Sequence, residues 1–300
     1  MYRISITIVL TLFLVTHAAA DDAIPAPGME SADHGSATKE PEKPEQETIT
    51  ITGKRLPESE LVGEYNQPVW TTKRRFPTTR VYVIPAGAVS FEYWFNAEGK
   101  FESDARAAYE SRYEVEFGLG KHFQFDVYLI TEQSEGYKPL NIGSEELELR
   151  WAPADWGKIW GNPTLYASWS HQNSDPQNLE LKLLVGDQIN PKLFWGANLI
   201  YERLLGKKTD QTYALSFGLA YVVVEGLFSV GFEGKISATD EQDSRFDFTE
   251  KEFLFGPSFQ LKPMYGIHID LVPLFGAKIT DKTSGVYSVF FIIGKEISGF

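Results

Sequence analysis

The chain has 300 residues, 43% hydrophobic and 14% aromatic, with 41 acidic against 28 basic side chains and a net charge of −13. That length suffices for a folded domain, and that acidity excludes nucleic acid as a partner. The absence of cysteine excludes disulfides, thiolate metal sites, a cysteine nucleophile and lipidation at an N-terminal cysteine.

Residues 1–20 read as a secretory signal peptide: Arg3 gives a positive start, Ile6 to Val15 an apolar centre, and Ala18-Ala19-Ala20 a cleavage site. Residues 21–46, rich in Pro, Glu, Ala and Ser, are predicted to form a disordered acidic tail, because they offer little apolar surface to offset the entropy of ordering. Residues 47–86 read as an extended periplasmic linker. At its start Ile49 and Ile51 alternate with Thr48, Thr50 and Thr52 ahead of Gly53-Lys54-Arg55. Further on, Trp70 to Arg80 (WTTKRRFPTTR) holds the only dense basic cluster, Lys73, Arg74, Arg75 and Arg80. This cluster has three readings: a plug paired with acidic residues inside a sheet, an anchor for anionic headgroups, or a solvated turn.

From residue 87 to the end, apolar and polar residues alternate with a period of two, which is the pattern of strands exposing two different faces. Tyr109, Ser111, Tyr113, Val115, Phe117 and Leu119 oppose Glu110, Arg112, Glu114, Glu116 and Gly118, and after a tight turn at Lys121-His122 the pattern resumes to Leu129. Period counting gives about twelve strands. Short turns alternate with longer polar loops such as Ala238 to Glu250, and Trp151 to Gly161 is the exception on the short side. Only the last run, Tyr287 to Ile293, is irregular, with Phe290 and Ile292 on its second face. No apolar stretch approaches the roughly 18 residues of a spanning helix, so a membrane could be crossed only by strands.

Turned outward, the apolar faces would meet lipid, and the polar faces would line a lumen carrying Glu92, Glu110, Arg112, Glu114, Glu116, Asp126, Glu146, Glu148, Arg150, Lys182, Glu202, Glu233, His268 and Asp270. Tyr109, Trp169, Tyr201, Tyr213 and Tyr221 would sit at headgroup level. Turned inward, they would require a soluble sandwich, since a barrel of twelve strands is too wide for its own side chains to fill.

The export signal, the dyad repeat, the alternating turn and loop lengths and the terminal Phe300 together resemble the outer-membrane β-barrel proteins of Gram-negative bacteria over residues 87–300. The resemblance implies an all-β transmembrane antiparallel barrel in the outer membrane, both termini in the periplasm, lipid and lipopolysaccharide around it, and Phe300 as the signal read by the barrel-assembly machinery. The segment at 47–55 is similar to the box that TonB-dependent receptors offer to a periplasmic TonB-like partner.

Catalytic motifs are missing. The sequence has no GxGxxG, Walker loop, GxSxG or HExxH, and Leu204 to Thr209 (LLGKKT) lacks the first glycine of a phosphate loop. Ser170, His171, Asn173 and Ser174 form the best local arrangement for a lipid hydrolase, but His171 falls on the lipid face. His268 and Asp270 share the lumen face as a polar pair. The acidic loop at 238–250 lacks the spacing of a calcium site, and no cofactor is expected. These residues therefore predict a non-enzymatic channel for small solutes with an acidic, cation-favouring lumen. A non-conducting structural, adhesion or assembly barrel and a lipid-modifying enzyme are the alternatives.

Overall fold

The computed structural model describes residues 56–102, 106–133, 141–172, 177–206, 209–244, 246–280 and 282–297. The signal peptide, the acidic tail, the TonB-box-like segment and Phe300 lie outside the described residues. A two-residue hairpin, β1 (Leu61–Val62) with β2 (Gln67–Pro68), and a 3-10 turn at Val69–Thr71 precede the barrel. The barrel strands are β3 (Val89–Lys100), β4 (Ala108–Gly120), β5 (Phe123–Gln133), β6 (Asn141–Trp151), β7 (Thr164–Gln172) and β8 (Gln177–Asn190), followed by β9 (Leu193–Leu205), β10 (Gln211–Val224), β11 (Phe228–Asp240), β12 (Glu250–Leu261), β13 (Ile267–Ile279) and β14 (Thr283–Ile297). Each pairs antiparallel with its chain neighbour, and β14 pairs with β3 to close the ring of twelve among the described residues. Closure leaves no strand edge unpaired.

Polarity is inside out. Leu149, Leu199, Leu215, Phe232 and Phe275 point outward and are exposed, while Glu92, Glu114, Asp126, Ser216 and Asp270 point inward and are buried. An apolar surface encircling the molecule is far larger than the few hundred Å² that soluble proteins expose, so this face requires lipid. The irregular last strand has a local explanation. Its second apolar face packs into the lumen, where Val286 and Phe290 join Leu254, Val272 and Leu274 as an apolar wall of β12–β14.

One end of the barrel carries the tight turns at Lys121-His122, Pro191-Lys192, Glu225 to Leu227 and Lys262 to Gly266; the other carries the longer loops. Residues 67–88 fill the lumen at the turn end and residues 56–66, largely exposed but anchored by the buried Glu58, Val62 and Tyr65, cap its mouth, so the segment read as a periplasmic linker is, from Leu56 onward, part of the barrel unit. Its buried Trp70 and Phe76 pack against Phe194, Ala220 and Val222 of the barrel wall. Tyr65, Tyr82 and Val83 pack against Ala152. The long connection between β6 and β7, the exception among the short turns, packs onto this interior through Ala152 and Trp156, while Ile159 and Trp160 stay exposed. Its Trp156 meets Trp70 at 5.5 Å and Tyr82 at 5.3 Å, both edge to face.

Candidate functional site

Beyond the 3-10 turn the internal segment belongs to no strand or helix that would satisfy its backbone, so side chains of the wall do so. The Asn198 amide clamps Arg80 twice, accepting from its N–H at 2.8 Å and donating to its carbonyl at 2.7 Å. Gln124 accepts from the Ile84 N–H at 2.8 Å, and Gln260 donates to the Arg74 carbonyl at 2.7 Å. At the apex, a turn over Phe76 to Thr79 places the Thr78 N–H and hydroxyl on Glu233 at 2.8 and 2.6 Å. Buried backbone groups left without such partners would each cost a hydrogen bond.

One side of this segment faces an acidic wall built by β3–β6, where strand alternation brings Glu92, Glu114, Glu116, Asp126 and Glu148 to one surface. Arg74 donates from Nε to Glu92 at 2.5 Å and from Nη2 to both oxygens of Glu114 at 2.9 and 3.1 Å. Arg80 pairs with Glu114 and, at 2.9 Å, with Glu116. From the wall itself Arg150 pairs with Glu148 and, at 2.9 Å, with Asp126. Trp94 and Tyr128 donate to Glu114 at 2.9 and 2.5 Å. Five carboxyl groups thus meet three guanidinium groups, with the His268 imidazole a fourth base 3.5 Å from Glu92, so acidic groups still outnumber basic ones in the cluster. Glu114, Asp126 and Glu148 have carboxylate oxygens within 4.8 Å of one another, the spacing of a metal-binding trio, but the donors just named already occupy them.

The opposite side faces β8–β10. Here Gly186 lies across from Gly196, and Gly196 across from Gly218, so three glycines sit side by side on the lumen face. A Cβ at Gly218 would meet the Phe76 ring at 2.5 Å, one at Gly196 would meet Val81 at 2.7 Å, and one at Gly186 would meet Val81 at 2.6 Å. These are distances no real Cβ occupies, so the row is a groove shaped to the segment it holds.

At the turn end a third contact closes the site. The buried Glu58 carboxylate pairs with Arg75 at 2.5 Å and with Lys262, while the Glu58 N–H donates to Glu225 at 2.5 Å. Burial alone would raise the Glu58 carboxyl, but Arg75 and Lys262 outweigh it and hold it below the ordinary value of 4.5. Burial, reinforced by Arg75, pushes the Lys262 ammonium down to about 7. On the other flank the Tyr65 ring stacks on His122 at 4.1 Å, and His122 Nε2 lies 2.8 Å from Asp155. Burial pushes the Tyr65 phenol up to about 12.

Breaking this contact has an expected size. Glu58→Ala strands the buried Arg75 guanidinium and leaves Lys262 to shed its proton, a loss of about 3–5 kcal/mol. Trypsin cleavage at Lys73 to Arg80 in the folded protein is expected to rise by about a hundredfold or more. Because the folded value of Glu58 is depressed, its contribution is present above 4.5 and is lost as pH falls through that lower value. Cleavage by an acid-active protease is expected to rise over the same acid window.

The basic cluster of the sequence divides between walls. Arg74 and Arg80 reach the acidic wall, whereas Arg75 turns to Glu58 and Ser229, and Lys73 lies 4.0 Å from Glu296. Among the other expected lumen residues, Arg112 pairs with Glu110 at 2.6 Å and approaches Glu146 at 3.7 Å nearer the loop end. Lys182 pairs with Glu180 at 2.6 Å, Glu202 faces the lumen beside them, and His268 Nδ1 meets Asp270 at 2.5 Å. Ser170 and His171 point to opposite faces of β7, with His171 stacked on the outward Trp169, so these two side chains do not meet. Asn173 and Ser174 lie outside the described residues. Sequence reading missed Glu58, Tyr65, Trp70, Phe76, Trp94 and the glycine row. Large aromatics in a polar N-terminal segment, beside lumen-facing glycines in three successive strands, were the available signal.

No family model matches the sequence, and no curated protein matches it. In structure the chain is similar to an outer membrane channel from Pseudomonas putida F1, at 9% identity over 72% of this chain and 97% of that one, with a TM-score of 0.53. It is more loosely similar to the KdgM porin in complex with disordered oligogalacturonate, at 11% identity over 70% of this chain and 99% of that one, with a TM-score of 0.46. The NanC porin matches at 12% identity over 67% of this chain and 98% of that one, with a TM-score of 0.45. At these identities the likeness to the first is one of fold, a closed antiparallel barrel.

Proposed function

We propose that this chain is a non-enzymatic outer-membrane channel for small solutes, with a cation-favouring lumen that its own residues 56–88 hold shut. The observation that carries the reading is the fit of the segment to two opposite walls, arginines to the carboxylates of β3–β6 and Phe76 and Val81 to the glycines of β8–β10. A barrel that merely tolerated a trailing linker would need neither. The apolar outer face supports placement in lipid, and the acidic surplus supports a preference for cations once the lumen is open.

The test is planar-bilayer recording of the intact protein against Arg74→Ala with Arg80→Ala. The intact protein is expected to conduct little; the double variant is expected to conduct about tenfold more, since buried pairs lost at two positions amount to several kcal/mol. Its reversal potential in a salt gradient is expected to favour cations. The pairs are out of water, so about 1 M salt, which screens exposed charges within roughly 3 Å, is expected to open the intact protein little. A double variant as silent as the intact protein would instead mark a structural or adhesion barrel, and lipid hydrolysis lost in His171→Ala would mark an enzyme.

A further inference from the structure

Above the apex of the internal segment, among the described residues, the lumen widens toward the loop end. A cavity of about 730 Å³ is lined by Glu98, Glu110, Glu132, Arg112, Lys235 and Phe290. It shares Arg112, Lys235 and Phe290 with a deeper chamber of about 190 Å³, whose floor is the segment itself at Pro77, Thr78 and Arg80. The combined space suits a small organic molecule rather than a bare ion.

The walls of the deeper chamber combine rings with charges of both signs. Trp94, Tyr128 and Tyr166 present rings and Glu146, Glu148, Glu180 and Glu202 present carboxylates, while Arg74, Arg80, Arg112, Lys182 and Lys235 line the same chamber as cations. Two of the rings are held by their polar ends: Trp94 Nε1 donates to Glu92 and Glu114 at 3.1 and 2.9 Å, and the Tyr128 hydroxyl donates to Glu148 at 2.6 Å. Their faces therefore stay fixed, and cations of this chain already sit on them. The Arg74 guanidinium lies 3.8 Å above the Trp94 ring, the Arg80 guanidinium lies 5.7 Å from it, and the Lys182 ammonium lies 4.1 Å from the Tyr166 ring. A ring face beside carboxylates is the combination that binds guanidinium and ammonium groups and repels anions. The internal arginines show by their own placement that the wall accepts such groups. Of the two, Arg80 is the one a solute can reach, since 12% of its side chain is exposed at the chamber floor against 2% for Arg74.

We propose that the acidic, aromatic wall of β3–β6 is a receptor for organic cations bearing a guanidinium or primary ammonium group, entered from the loop end, and that Arg80 is the internal occupant such a solute displaces. The proposal rests on the occluded-channel reading and adds to it the class of solute and the means of release. Exchange of one guanidinium for another keeps the carboxylates paired, so the wall is never left bare. An anionic solute has no such exchange open to it, because Glu114 and Glu116 would repel it as Arg80 left.

The probe is agmatine, which carries one guanidinium and one primary ammonium, with glutarate as the anionic control. On the full-length protein in planar bilayers, agmatine added on the loop side is expected to raise the open fraction about fivefold, and glutarate to leave it unchanged. By calorimetry in detergent, the full-length protein with Arg74→Ala and Arg80→Ala is expected to bind agmatine about tenfold more tightly than the wild type, and adding Glu114→Gln to remove that gain. A wild type whose open fraction ignores agmatine overturns the proposal. So does a folded double variant that binds agmatine no better than glutarate. Should the double variant not fold, the wild-type recording decides alone. A double variant that conducts but ignores agmatine ends the receptor proposal and leaves the occluded channel standing; one that stays closed ends the channel reading, while calorimetry still decides the receptor.

Discussion

Glu114→Ala is expected to release the internal segment more completely than any other single change in the acidic wall. Four groups donate to this carboxylate, the Arg74 and Arg80 guanidiniums, the Trp94 ring N–H and the Tyr128 hydroxyl, and its side chain is out of contact with water. Two effects oppose each other. Removing one acid reduces the surplus of negative charge, which is favourable, but four buried donors each lose one of two acceptors, keeping only Glu92, Glu116 or Glu148, and two of the donors are charged. The loss of two buried charge-assisted pairs, at about 3–5 kcal/mol for one broken pair as an upper figure, outweighs the relief of repulsion, so release wins. Trypsin cleavage at Arg74 and Arg80 is expected to become rapid, and bilayer conductance to rise with it. Glu114→Gln keeps the shape and one acceptor and is expected to fall between wild type and alanine. Cleavage unchanged in both variants would mean that the segment is held elsewhere.

Gly218→Leu is expected to evict the segment without touching any charge. A Cβ there already meets the Phe76 ring at 2.5 Å, and the strand backbone of β10 is fixed on both sides by β9 and β11. Overpacking of this kind costs about 1–3 kcal/mol or more where neighbours cannot shift. Phe76→Ala alone, at a ring only 1% exposed, is expected to lose about 3–5 kcal/mol of docking. The two together are expected to cost less than their sum, because the space vacated by the ring receives the leucine. A double-mutant cycle on trypsin susceptibility measures that coupling, expected at about 0.5–3 kcal/mol. Additive losses would show that Gly218 and Phe76 do not meet in the folded protein.

Much of the barrel was legible in the chain because the signals that build it are local. Alternation along Tyr109 to Leu119 assigns each side chain to a face whatever the neighbouring strands do, since a strand has a period of two. Repeated from 87 to 297, it yields the strand number, the apolar outer surface and the polar inner one. The arginines of Trp70 to Arg80 are the only dense positive charge beside that acidic face, so their attraction to it was legible as well.

Register and closure decided the rest. Gly186, Gly196 and Gly218 are separated by 10 and 22 positions in the chain and become one groove only when β8, β9 and β10 pair in a single register. Glu58 and Lys262 are 204 positions apart and meet only because the ring closes around the segment that carries Glu58. The same holds for the division of the basic cluster, with Arg74 and Arg80 on the acidic wall and Arg75 on Glu58. Charge and period fix what each residue prefers to face, and these preferences act over a few residues. Which residue it faces depends on distances set by the whole sheet, and only the folded barrel supplies them.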